Sequence, residues 1–499
     1  MNAPLYSKLS HIRLTGTPRV LDLFAGCGGL SLGFQSQGFD IVGGVEIDPE
    51  AATTYASNLH PGCPPSQFDV LSRPRDIRET RPADLLQDLL GPSGFPSESV
   101  DVIVGGPPCQ SFARVGRAKL REIMNHPQAF LNDERASLYA HYLEFVADLK
   151  PLAVLMENVP DILNYGGANL GEEICEALED LGYDCAYTLL NAAHYGVPQM
   201  RTRVFILGLH RALSVPPSFP APSHKCSLPS GYEGTKQVAL RTLSQPLFIK
   251  PHYIPSPEAP VGLPDAVTAE EAIGDLPPIT DHLDGRLRRG IRFFNHLSPY
   301  RQDVQPASYA RAMRHWLGFQ SNDGVLDHVI RFLPRDWETF KRMRPGDQYP
   351  QAYRVAIRIF EERRKSLQQQ SGTLLQPSTP EYERLWTTTV PPYDPGKFPN
   401  KWRKMEPDKP ARTLMAHIGK DTYSHIHYDS DQARTISVRE AARLQSFPDG
   451  FTFCGHMNSA FRQIGNAVPP VLAAALARHL NQILQSSLAL RPAPLPVMS

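Results

Sequence analysis

The sequence predicts an α/β protein: a doubly wound, mostly parallel sheet joined to a second, smaller and irregular domain. Three observations carry this expectation. Over the first 210 residues, short apolar runs alternate with stretches of helical period, the pattern of a parallel sheet covered on both faces. Residues 211–300 hold 14 of the 48 prolines and no sustained periodicity, so the chain leaves regular structure there. The length of 499 residues exceeds what one hydrophobic core usually fills, which makes a second domain the expectation.

The elements follow in order. Strands are predicted at Arg19–Phe24, Ile41–Val45, Asp101–Val104, Leu152–Met156, Tyr183–Leu190 and Arg203–Leu209, and helices between them at Pro49–Leu59, Ser137–Leu149 and Gly171–Leu181. Ser437-Val438-Arg439-Glu440 has the form of a capping box, opening a helix that Phe447-Pro448 ends. The segment Arg462 to Pro470 reads as a loop whose two prolines launch a last helix, with Leu472, Leu476, Leu480 and Leu484 on one stripe. The expected organisation is an N-terminal extension (1–18), a catalytic domain (19–210), a recognition domain with its Pro-rich connection (211–433), C-terminal motifs and helix returning to the first domain (434–486) and a tail (487–499), frayed from Arg491 to Ser499.

Composition narrows the class. Apolar residues make up 41% and charged residues 20%, ordinary values that exclude a collagen-like or disordered chain. No run of 18 apolar residues and no signal-peptide core exists, so a cytoplasmic location without membrane attachment is expected. Seven scattered cysteines without a Cys-x-x-Cys pair suggest neither a disulfide framework nor a structural metal site. Net charge is zero, yet residues 286–420 hold 25 Lys and Arg against 13 Asp and Glu. A basic, aromatic-rich block beside an acidic remainder points to nucleic acid.

Several short segments carry chemistry. Asp22-Leu23-Phe24-Ala25-Gly26-Cys27-Gly28-Gly29 reads as a strand entering a glycine turn and a helix, where bare backbone lets a ligand approach. Glu46 ends the next strand, placed to accept the hydroxyls of a ribose. Ser31 stands where a dinucleotide fingerprint needs its third glycine, which favours an adenosine-bearing cofactor without pyrophosphate and disfavours a nucleotide-dependent oxidoreductase. Gly106-Pro107-Pro108-Cys109-Gln110-Ser111 follows an apolar strand; Cys109 is either a buried apolar filler or, on a loop stiffened by proline, a positioned nucleophile needing positive charge nearby. Glu157-Asn158 closes the strand after it, so Glu157 is either a proton donor or a paired structural carboxylate. Gln199, Arg201 and Arg203 alternate along one face into the last strand, and the two guanidiniums there are either a solvated edge or, as their position favours, donors to an anion or a carbonyl.

Taken together, these segments resemble the cytosine-5 DNA methyltransferase family in wording and in order: Asp-x-Phe-x-Gly-x-Gly-Gly, the strand-ending Glu, Phe68-Asp69, Gly-Pro-Pro-Cys-Gln, Glu-Asn-Val, Gln-x-Arg-x-Arg, Arg-Glu-x-Ala-Arg-Leu-Gln-x-Phe-Pro and Gln-Ile-Gly-Asn-Ala-Val-Pro-Pro. The likeness covers residues 19–209 and 434–484, and the stretch between them matches only in its position, where that family keeps its variable target recognition domain.

The resemblance implies a class I S-adenosylmethionine-dependent methyltransferase fold and a DNA (cytosine-5-)-methyltransferase. Cys109 would be the nucleophile, Glu157 would bind and protonate cytosine N3, and Arg203 would donate to the base carbonyl. Phe24, Gly26, Gly28, Gly29, Glu46, Asp69, Pro107, Asn466 and Val468 would line the S-adenosylmethionine pocket, Asp69 on the adenine amino group, while Gln110, Ser111, Asn158, Gln199 and Arg201 would support the substrate. The implied partner is double-stranded DNA bound by a monomer without metal, with a cognate restriction or defence nuclease alongside and the enzyme working at the nucleoid. The alternatives are an RNA cytosine-5 methyltransferase and a catalytically idle DNA-binding protein on the same fold.

Overall fold

The structure, a computed structural model, describes residues 3–91, 98–108, 134–164, 169–229, 232, 252–287, 296–372, 375–418 and 423–489. The chain divides into two compact units. The first comprises Met1–Ala266, Thr452–Cys454 and Ala467–Ser499, and the second Val267–Phe451 and Gly455–Asn466. The expected boundary after residue 210 thus lies at Ala266, and the capped helix after Ser437 belongs to the second unit.

The first unit is built on six strands: β1 (Arg19–Leu23), β2 (Asp40–Val45), β3 (Val102–Gly105), β4 (Ala153–Asn158), β5 (Tyr183–Asn191) and β6 (Thr202–His210). Their order is β2-β1-β3-β4-β6-β5. The first four are parallel, and β6 runs antiparallel to both β4 and β5. Val20, Leu21, Val102, Ile103, Val104, Val154 and Leu155 are all buried. That explains why these strands read as apolar runs instead of alternating: helices cover both faces.

The helices are α1 (Ala3–Thr15), α2 (Gly29–Gln35), α3 (Pro49–Leu59), α4 (Pro65–Leu71), α5 (Pro82–Leu90), α6 (Glu134–Leu149) and α7 (Leu170–Asp180). Pro49 follows the Asp48 cap, whose carboxylate accepts the Glu50 and Ala51 N–H groups, and this fixes where α3 begins. The C-terminal helix Pro470–Ala489 crosses α2 closely, since a Cβ on Gly33 would stand 2.3 Å from the Ala473 Cβ. The helix runs past residue 486, the expected start of the tail, to Ala489, and the Ser487 hydroxyl donates to the Leu213 carbonyl at 2.9 Å. Residues 211–266 join this unit for a similar reason. Tyr187 N–H donates to His252 O and Ile254 N–H to Tyr187 O, adding a short parallel bridge to β5.

The N-terminal extension is the docked helix α1. It buries Leu5, Leu9 and Ile12, and its Lys8 Nζ donates to the carbonyls of Leu149 (2.6 Å) and Lys150 (2.8 Å) at the end of α6.

The second unit packs Phe340, Met343, Tyr349, Ala352, Tyr423 and Ile426 around the buried Trp402. Its longest helix is Tyr349–Ser371. The expected capping box forms: Glu440 N–H donates to Ser437 Oγ at 3.0 Å and Ser437 N–H to Glu440 Oε2 at 2.6 Å. Glu440 also receives both terminal nitrogens of buried Arg434 at 2.7 Å. Arg462–Asn466, read as loop, forms the last turns of the helix Met457–Asn466, because Ala460, Phe461 and Ile464 recur at helical spacing and are buried.

Candidate active site

The register of the sheet sets up the site. Leu23 pairs with Val45 and with Gly105, and Gly105 with Met156. The next residue of each strand, Phe24, Glu46, Gly106 and Glu157, therefore falls in one row across the carboxyl edge, with about 4.8 Å between neighbouring strands. The order in which strands are added reverses between β1 and β3, with β2 on one side of β1 and β3 on the other, and at such a point open α/β sheets bind ligands.

On one side of that row is the glycine turn. Phe24, Gly26 and Gly28 all have positive φ (62°, 55° and 92°), which bends the chain back so that Ala25 N–H donates to Val45 O at 3.0 Å. Side chains are excluded at Gly28, where a Cβ would meet Leu59 Cδ1 at 2.8 Å and Tyr55 Cδ2 at 3.0 Å. Gly29 begins α2. Beneath the turn, buried Asp22 accepts the Ser31 hydroxyl at 2.6 Å, and burial pushes its carboxyl up to about 7. The Glu46 carboxylate accepts Gly26 N–H through Oε2 and Asp48 N–H through Oε1, each at 2.8 Å. Burial raises its pKa, and those two donors oppose the shift.

These residues fit an adenosine cofactor. Glu46 keeps lone pairs for a ribose diol, the turn offers bare backbone, and Ile47, 60% exposed, leaves an apolar platform directly beside the carboxylate. Sequence reasoning passed over Ile47; the only signal was an apolar residue directly after the strand-ending Glu. The placement of Asp69 differs from expectation. It is exposed on helix α4, whereas Arg75 N–H donates to Glu46 O at 2.7 Å and carries Arg75-Asp76-Ile77 alongside the end of β2. Asp76, which binds Arg78, is the carboxylate of that segment. Val468 is buried in the first unit, while Asn466 is exposed at the end of a helix of the second.

On the other side of the row stands Glu157. Its Oε1 lies 3.0 Å from Arg203 Nε, and the two side chains are only 12% and 13% exposed. The antiparallel course of β6 is the cause, since it brings the amino end of that strand, with Arg203, to the carboxyl end of β4. A Cβ on Gly106 would approach Glu157 Oε2 to 3.2 Å, so glycine there leaves room for the carboxylate. Asn158 Nδ2 donates to Pro107 O at 2.8 Å and pins the start of the proline loop to β4. Gln199 and Arg201 are buried behind the edge; burial and then the neighbouring Arg203 push the Arg201 guanidinium pKa down. Cys109, Gln110 and Ser111 lie outside the described residues. Among the described residues there is no cluster of His, Cys, Asp and Glu suited to a metal ion, and no helix long and apolar enough to cross a membrane.

A carboxyl group and a guanidinium held together at the sheet edge form a paired acceptor and donor for a planar polar ring, beside a cradle for an adenosine. Comparison with known proteins gives the family. The family model described as C-5 cytosine-specific DNA methylase matches residues 18–273 and 334–482. A type II methyltransferase of Oceanobacillus iheyensis, M.OihORF3336P, is 36% identical over 472 residues, covering 94% of this chain and 96% of its own. The type II methyltransferase M.AgeI of Thalassovita gelatinovora is 32% identical over 93% of this chain and 99% of its own. The crystal structure of a DNA modification methyltransferase encoded within an E. coli prophage superposes with a TM-score of 0.57 at 22% identity, covering 94% of this chain and 99% of that one, and supports the fold. The chain belongs to the C-5 cytosine-specific DNA methylase family and is a DNA (cytosine-5-)-methyltransferase whose methyl donor is S-adenosylmethionine.

Proposed function

We propose that the protein methylates C5 of a cytosine rotated out of a specific duplex DNA sequence, and that it is the modification member of a restriction or defence system working beside a cognate nuclease. The Glu157–Arg203 pair on the edge row carries this proposal, because it matches one face of cytosine: a protonated carboxyl facing N3 and a guanidinium facing the carbonyl oxygen. The type II methyltransferases among its relatives support the biological role.

C5 of cytosine is too weak a nucleophile to be methylated unaided. The Cys109 thiolate adds to C6 while Glu157 delivers a proton to N3, and the electron pair released makes C5 enamine-like. S-adenosylmethionine, when bound, supplies the electrophilic methyl group. Loss of the C5 proton to a base and departure of the Cys109 sulfur from C6 then restore the ring, with the N3 proton returning to Glu157. Arg203 holds the carbonyl oxygen, Asn158 positions the loop that leads to Cys109, and Gln199 and Arg201 buttress the edge from behind. Phe24, Gly26, Gly28, Gly29, Glu46, Pro107 and Val468 of the first unit would hold the cofactor, together with Ile47. Asp76 replaces Asp69 as the group facing the adenine amino group. Reaching C6 requires extrusion of the nucleotide at a cost of roughly a few kcal/mol, offset by pocket contacts and by phosphate contacts of the basic second unit. The enzyme acts as a monomer at the nucleoid.

Labelled methyl transfer to duplex DNA, and none to tRNA, is the expected result; the reverse preference overturns the proposal. Bisulfite sequencing of a treated random-sequence plasmid then reads out the target, and unchanged methylation by Cys109→Ser removes the nucleophile assignment.

A further inference from the structure

The segment 334–371 of the second unit holds nine Lys and Arg against five Asp and Glu. Every one of those carboxylates is engaged. Asp336 binds Arg335 at 2.7 Å, Glu338 binds Arg363 at 2.6 Å and also Arg342, Glu362 binds Arg342 at 2.7 Å, and Glu361 binds Arg364 at 2.8 Å. Asp347 accepts the Arg344 N–H at 2.8 Å.

Arg354 and Arg358 stand outside this network. Both are exposed on the helix Tyr349–Ser371, and among the described residues neither has a carboxylate within 4.0 Å. The opposite side of the helix fixes their direction, because Ala352, Val355, Ala356, Ile359 and Phe360 are buried. Four residues apart, the two guanidiniums share one face, with about 5–6 Å between their Cβ atoms. Such a like-charge pair destabilises a helix in isolation. The carboxylates at the spacing that would relieve Arg358, Glu361 and Glu362, are directed to Arg364 and Arg342 instead. Glu338 and Glu362 thus tie the helix Trp337–Arg342 to the helix Tyr349–Ser371, the other acids pair with near neighbours in sequence, and the two-arginine face is left without an internal anion. Arginine forks suit phosphate oxygens better than a lysine point charge does.

We propose that the Arg354–Arg358 face grips the sugar-phosphate backbone of the DNA duplex, contributing two phosphate contacts that are blind to sequence. This rests on duplex DNA being the substrate and adds which surface holds it.

The experiment measures equilibrium binding of the full chain to a target duplex and to an unrelated duplex over a series of salt concentrations. The variants are Arg354→Gln/Arg358→Gln, a change that keeps helix propensity, and a control, Arg81→Gln/Arg211→Gln, that removes two exposed charges of the first unit. Loss of two phosphate contacts lowers the slope of log K against log salt by about 1.8 in magnitude and weakens both duplexes about tenfold, with target preference unchanged. The control keeps the wild-type slope. An unchanged slope in the double variant, while wild type binds and methylates duplex DNA, overturns the inference and assigns the face to an acidic protein partner. A slope that falls for the target duplex alone also overturns it, since that marks base reading. Failure of wild-type protein to methylate duplex DNA at all removes the substrate proposal itself, a result distinct from both.

Discussion

Glu157 and Arg203 meet at 3.0 Å because β6 returns antiparallel beside β4, so that two residues 46 positions apart in sequence become one acid and donor pair at the sheet edge. A wholly parallel sheet would leave the amino end of the last strand at the opposite edge. Glu157→Gln is expected to lower kcat by about 10²–10⁴, the range for loss of a positioned proton donor, while DNA affinity changes little. Single-turnover methyl transfer with a preformed protein–DNA complex measures it. A glutamine enzyme as fast as wild type refutes proton delivery by this group.

Asn158 has a different task. Its amide donates to Pro107 O and its carbonyl accepts Val159 N–H at 2.9 Å, so one buried side chain fixes both the end of β4 and the root of the Cys109 loop. Asn158→Ala leaves these backbone groups unpaired, at a cost of about 1–3 kcal/mol. The transfer rate is expected to fall at least tenfold while S-adenosylmethionine affinity holds. Rate and calorimetric affinity, taken on the same preparation, separate the loop from the cofactor cradle.

Much of this site was legible because its strands are apolar runs ending in polar residues at one edge. The predicted strands differ from the observed ones by one or two residues at their ends. What sequence could not supply was pairing across the sheet: no periodicity says that β6 is antiparallel, and Glu157 and Arg203 remained two separate candidates until the register joined them. The resemblance assigns Asp69 through the words Phe68-Asp69, but Pro64-Pro65 opens helix α4 there, and the segment touching Glu46 comes six residues later at Arg75. Arg462–Asn466, the end of the helix Met457–Asn466, reads as loop in sequence because Gly465 and Asn466 tolerate left-handed backbone, although the apolar spacing before them is helical. In the second unit, the core gathers around Trp402 from segments 340–352, 402 and 423–426, contacts too distant in sequence for local pattern to reveal.

Glu46 joins the glycine turn to the start of α3 through Gly26 N–H and Asp48 N–H. Glu46→Gln keeps an acceptor but gives up the charge-assisted bonds to a ribose, a loss of about 1.5–3 kcal/mol. The Kd for S-adenosylmethionine is expected to rise at least tenfold, with DNA binding in its absence unaltered. Ile47→Asp, which replaces the exposed apolar platform beside it, should weaken the same Kd without moving the melting temperature. Isothermal titration of both variants tests the cradle, and an unchanged Kd in both sinks it.

Lys8 gives a pH dependence whose sign is fixed. Burial, only partly opposed by Asp101, pushes its pKa down to about 7 from an ordinary value near 10.5. Between those values the unfolded chain holds a proton that the folded chain has released. Folding stability therefore rises with pH through this window, by up to about 1.4 kcal/mol per unit, and the cost of the buried charge is greatest below pH 7. Neutral Lys8 still donates to Leu149 O and Lys150 O, so the cap on α6 survives deprotonation. Lys8→Met is expected to flatten the dependence from pH 7 to 9. At pH 9 it should destabilise the first unit, because two carbonyls lose their donor. Denaturant melts of wild type and variant at pH 7, 8 and 9 measure both effects, and parallel pH profiles for the two proteins exclude Lys8 as the titrating group.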